Sequence, residues 1–191
     1  GQLGALTTGA LTGFETRDIA VITGSQVAGL TSVQIGVLGS GQVGSIGTSA
    51  ISGLTSLQIS ALSSDNIKGL VSIQLAALTS NQVIGLETVD IQQISSSQLM
   101  ALTTSAITGL TTIGLASLTT GALSGLQSNQ LRALTMIQLQ SLTSTSLNAI
   151  SSNTLTQLSS VQAMSIQSWQ FVGLNADWID AISSSVVNQR S

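Results

Sequence analysis

Large apolar residues recur at every eighth position along the whole chain, in two parallel series. The first runs Leu3, Leu11, Ile19, Val27, Ile35 and Val43, and continues to Leu155, Ala163, Phe171, Ile179 and Val187. Of its 24 members only Ala163 is small. The second runs Leu6, Phe14, Ile22, Leu30 and Leu38, and continues to Leu158, Ile166, Leu174 and Ile182, with 23 members. No insertion interrupts either series, so the 191 residues are 24 octapeptides less one residue. Eight residues with two aliphatic side chains cannot bury an apolar face alone. They must stack on their neighbours, which is the logic of a solenoid.

The columns of the octad differ sharply when the first apolar series is numbered position 3 and the second position 6. Position 2 is Gln in 12 of 24 octads, as at Gln34, Gln58, Gln82 and Gln98. Position 5 is mostly Gly, Ala or Ser, position 7 mostly Thr or Ser, and position 8 Ser or Thr almost throughout. Positions 1 and 4 vary. The consensus is x-Gln-Ile-x-Gly-Leu-Thr-Ser.

Spacings of three and then five between apolar columns rule out a straight strand, whose same-face residues lie at even spacings. Eight residues over two turns also fit a continuous helix of period 3.6 poorly. A short helical step fits every column. Thr at position 7 is the N-cap and Gln at position 2 of the next octad is N3, which makes the Thr-x-x-Gln capping box. Leu at position 6 and Ile at position 3 are then N′ and N4, the hydrophobic staple. The segment Leu54 to Leu62 carries the whole set. Gly at position 5 is expected to be a left-handed C′ residue. The fold class is therefore a repeat solenoid of eight-residue steps. Short helical turns are favoured, with about three octads per superhelical turn. The alternative is a β-solenoid with Gln and Thr ladders, since Ile and Val at position 3 suit strands.

The figure of three comes from the variable column. Position 1 is apolar at Val33, Leu57, Ile73, Val89, Ile113, Ile137, Val161 and Trp169, and the commonest spacing there is 24 residues. Every third step would then face the same way. Val33, Leu57, Ile73, Val89, Ile113, Ile137 and Val161 are candidates for a self-association stripe, against the ordinary alternative of singly exposed aliphatics.

Two segments follow. Residues 1–166 read as an uninterrupted solenoid, and 167–191 as in-register repeats that contain aromatics. Trp169, Phe171 and Trp178 are three of the four bulky aromatics in the chain. They are expected to cap the last core layer, as solenoid ends require, or else to dock a partner.

Composition limits the chemistry. The chain has no His and no Cys, and 6% of its residues are charged. There is no imidazole base, no thiolate and no usual zinc ligand set, and Ser has nothing to activate it. No cofactor or metal is expected, and an enzyme is not. Four basic residues are too few for nucleic acid, where affinity comes mostly from neutralised phosphates. No apolar run approaches the ~20 residues of a membrane span. No signal peptide is visible, and a start at Gly1 is read as that of a processed or excised piece. The acidic pairs Glu15/Asp18, Glu87/Asp90 and Asp177/Asp180 are read as solvated surface groups rather than calcium ligands, which come six to eight at a time.

The runs Leu102-Thr103-Thr104-Ser105-Ala106-Ile107-Thr108-Gly109-Leu110 and Leu78-Thr79-Ser80-Asn81-Gln82-Val83-Ile84-Gly85-Leu86 resemble the L-T-T-x-Q-I-x-A-L octad arrays of large bacterial surface and secreted proteins, often called adhesin-like. The resemblance covers essentially the whole chain. It implies an extracellular or cell-surface protein with a structural or adhesive role. Some such arrays are labelled haem-utilisation-like, but only Met100, Met136 and Met164 could ligate haem here, and that function is not carried over. The expected function is a non-catalytic rod-like spacer, surface fibre or self-assembling filament subunit, a homo-oligomer by stacking. The alternative is a binding module that presents ordered Ser and Thr rows to a glycan or to ice.

Overall fold

The structure is a computed structural model and describes residues 2–187. A 3-10 turn at Gln2–Ala5 is followed by 22 α-helices, with no strand among the described residues. The β-solenoid alternative is therefore not supported; each octad is a helical step. Residues 188–191 of the C-terminal segment lie outside the described residues.

Local chemistry accounts for each step. In the helix Ser32–Gly36, Thr31 is extended at φ −75°, ψ 160°. Its hydroxyl accepts from the Gln34 N–H at 3.2 Å, and its own N–H donates to Gln34 Oε1 at 2.8 Å. The same reciprocal box closes at Thr55/Gln58, Thr79/Gln82, Ser95/Gln98, Thr135/Gln138 and Ser159/Gln162. The staple is present as well: Leu54 and Ile59, which flank the Thr55 cap, are both buried. A helix of one turn is not stable alone. Here both ends are tied to the shared core.

Each helix packs on the third one along the chain, so three octads complete one turn of the solenoid. The two apolar columns meet inside as one continuous core from Leu11 to Ile166, closed at the far end by Trp178. With packed helices about 8–10 Å apart, the roughly eight turns make a rod on the order of 65–80 Å long.

The small residue at position 5 has a different cause from the expected one. No described residue has positive φ, and Gly29 ends its helix in the right-handed region at φ −83°, ψ −7°. What position 5 requires is room. A Cβ on Gly53 would lie 2.7 Å from the Gly24 carbonyl oxygen, and one on Gly109 would lie 2.5 Å from that of Ser80. Both partners are position 8 residues 29 places earlier, on the turn beneath. The column is small because two backbones touch there, not because the chain reverses with left-handed geometry.

The last step departs from the octad. Ala176–Val187 is one helix of 12 residues that runs straight through the corner due near Ser183. Val186 stands where Gln would close a capping box, and the Ser183 hydroxyl donates back to the Ile179 carbonyl within the same helix.

Candidate functional site

The side chains that do most in this molecule are the position 2 glutamines. Gln58 is buried: its Oε1 accepts from the Thr55 N–H at 2.8 Å, and its Nε2 donates to the carbonyls of Val27 and Leu30 at 2.9 and 2.7 Å. Those carbonyls lie 31 and 28 residues earlier, on the preceding turn. The pattern repeats at Gln42, Gln74, Gln82, Gln130, Gln162 and Gln170. A position 6 carbonyl follows the end of one helix and precedes the next, so no helical N–H is at hand for it. The glutamine amide from the next turn supplies the donor. Buried carbonyls are costly to leave unpaired, and no buried side-chain nitrogen or oxygen lacks a partner among the described residues.

The capping box alone does not show this second role. One signal in the sequence does: a capping box accepts Glu as readily as Gln, yet column 2 holds 12 Gln and no Glu. An amide can accept from its own N-cap and donate to the turn below, which a carboxylate cannot.

The acidic pairs divide. Glu15 and Glu87 are N-caps, with Asp18 and Asp90 at N3, so these are capping boxes built from carboxylates. Asp18 accepts from the Glu15 N–H at 2.9 Å, and Arg17 contacts Glu15 at 3.0 Å in solvent. Asp90 corrects the surface reading: it is buried, and it accepts from the Ser64 hydroxyl at 3.0 Å. Asp177 and Asp180 are exposed and line an open depression of about 480 Å³ with Ser152, Leu155, Leu158 and Ser185. No group of three or more His, Cys, Asp or Glu gathers among the described residues.

Trp178 occupies position 2 and is fully buried. Its indole N–H donates to the Leu147 carbonyl, 31 residues earlier, at 2.6 Å. It stands in for a ladder glutamine beneath the terminal helix. Trp169 is 54% exposed, and Phe171, although in a core column, is 41% exposed because no later turn covers it.

The seven stripe candidates are all exposed, on three different stacks. Val33 and Leu57 share one, and Ile73 stands on another. Val89, Ile113, Ile137 and Val161 belong to the helices Thr88–Ile91, Thr112–Ser117, Met136–Gln140 and Ser160–Ser165, which lie directly on one another. Each is the second residue of its helix, and their exposures are 54, 71, 68 and 53%. Beside Val89 and Ile113 a groove of about 430 Å³ opens, lined by Ile84, Leu86 and Gly114. Gly114 stands at position 2, where most octads carry a side chain.

No helix among the described residues is long and apolar enough to cross a membrane. No protein-family model matches the chain, and no curated protein sequence matches it.

Proposed function

We propose that this chain is a structural rod, a non-catalytic spacer or fibre segment of an extracellular or cell-surface protein. The observation that carries the reading is that its ladder amides and its position 7 cap hydroxyls are spent on the fold. The ladder glutamines are bonded at both ends of the amide. The cap hydroxyls of Thr55, Thr79 and Thr135 accept from an N3 N–H and donate to the Gln Oε1. Position 4 hydroxyls such as Thr108 and Ser124 donate to a carbonyl three residues back. A solenoid built in this way transmits length and stiffness, and can be extended octad by octad without new contacts. The resemblance to octad arrays of bacterial surface and secreted proteins supports the location. A net charge of −3 leaves little repulsion between copies, which favours assembly into fibres.

The same accounting weighs against a glycan- or ice-binding module. Such a surface needs free, regularly spaced hydroxyls in rows 7 and 8; the position 7 row is committed to helix caps, which leaves the position 8 row alone to supply them. Electron microscopy of the purified chain tests the structural reading. Rods of about 65–80 Å by the layer spacing, singly or in fibres, are expected; compact round particles would overturn it. Thermal hysteresis at high protein concentration would instead support the ice-binding module.

A further inference from the structure

We infer that two copies of this chain pair side by side and antiparallel through the stripe Val89, Ile113, Ile137 and Val161. This deepens the structural-rod reading and rests on it.

The stripe has a pattern that a second copy fits. Its four members sit one per turn on four consecutive helices of one stack. A two-fold axis midway between Ile113 and Ile137 carries Ile113 onto Ile137 of the second copy, and Val89 onto Val161. That is the self-complementarity an isologous interface requires. The flanking column three residues on, which faces the same way on a helix, reads Gln92, Ala116, Gln140 and Met164 and holds no charge. One turn below Val89, the equivalent residue is Asp65, in an exposed ion pair with Lys68 at 3.1 Å. The apolar surface thus ends in charge on that side and in the terminal helix on the other.

Shape favours the antiparallel arrangement. The groove lined by Ile84, Leu86, Val89 and Ile113 lies at one end of the stripe. Met164, 64% exposed, projects at the other end beside Val161. The two-fold axis sets Met164 of the second copy over Gln92, so the projecting end of one copy meets the recessed end of the other. A parallel pairing would set recessed end against recessed end.

Area is sufficient. Val89, Ile113, Met136, Ile137, Val161 and Met164 are each about half exposed or more. Together they expose on the order of 700 Å², so complete mutual cover would bury at most about 1,400 Å², against the ~1,200–2,000 Å² of specific stable interfaces. Three of the four helices carry no ionisable residue; the fourth, Thr88–Ile91, holds buried Asp90 and is capped by exposed Glu87, a charge at the rim of the groove.

The full chain contains no Cys, which permits a clean test. Sedimentation should show a concentration-dependent dimer, and Ile137→Lys should weaken association at least tenfold while circular dichroism and melting stay unchanged. Under mild oxidation, Val89→Cys mixed with Val161→Cys should give a disulfide-linked dimer, and either variant alone should not. A chain that stays monomeric at several hundred micromolar would overturn the proposal. So would disulfide dimers of each variant alone, which indicate parallel pairing, or dimerisation that Ile137→Lys leaves intact. A monomer that is still a rod by small-angle scattering defeats the pairing and leaves the structural-rod reading standing.

Discussion

The side-chain amide of Gln130 donates to the backbone carbonyl of Leu102 at 2.7 Å, across 28 residues of chain and one turn of the solenoid. It also donates to Leu99, and its Oε1 accepts from the Gln127 N–H at 2.8 Å. One buried side chain therefore starts a helix and fastens that helix to the turn beneath.

Changing the acceptor–donor amide to a carboxylate separates these roles. Gln130→Glu keeps the capping box but turns a charged oxygen toward two carbonyls. Denaturant melts at pH 7 should show a loss of about 2–4 kcal/mol, the scale of an unpaired buried group. Because the folded state disfavours the charged form, the carboxyl pKa is raised on folding. The penalty is then fully present above the folded pKa and shrinks as pH falls toward the unfolded value. A variant equally unstable at pH 4 and pH 7 would contradict the ladder.

Glycine replacements should differ in sign. Gly9 and Gly109 both lie in helices, but a Cβ at Gly9 meets nothing within 4 Å, whereas one at Gly109 would lie 2.6 Å from the Ser80 Cα. Gly9→Ala should be neutral or stabilising by up to about 1 kcal/mol through the unfolded state. Gly109→Ala should cost about 1–3 kcal/mol through overpacking. Thermal melts of the two variants measure the contrast.

The apolar columns are vulnerable at single points. Leu110 is buried between layers, and Thr108, two residues away, is exposed. Leu110→Asp should open the array locally, since stability resides in nearest-neighbour interfaces. Limited proteolysis should then cut near residue 110 and leave two protected fragments. Thr108→Asp should cost at most about 0.5 kcal/mol beyond its one local hydrogen bond and give no such cut.

The two tryptophans should be spectroscopically distinct. Trp178 is enclosed and Trp169 is half exposed. Iodide should quench Trp169 and spare Trp178, so Trp169→Phe leaves blue-shifted, unquenched emission. Trp178→Ala should cost about 3–5 kcal/mol, as for other buried aromatics, and release the terminal helix first, visible as fast amide exchange over 176–187.

Much of this fold was legible in the octad. The positions of Thr31 and Gln34 determine where a helix starts, and Leu54 and Ile59 determine which face is buried, because caps and staples act between residues three to five apart. The 24-residue spacing of Val89, Ile113, Ile137 and Val161 anticipated three steps per turn. What lay beyond the sequence were relationships between turns. Gln58 reaches Leu30, Gly53 touches Gly24, Asp90 takes the Ser64 hydroxyl, and Trp178 reaches Leu147. Each joins residues 26 to 31 apart, offsets that no local periodicity reports. Local chemistry decided that the octads between Thr8 and Phe171 are short helical turns. Only stacking decided why the octad's glutamine is never a glutamate and why its fifth residue is small.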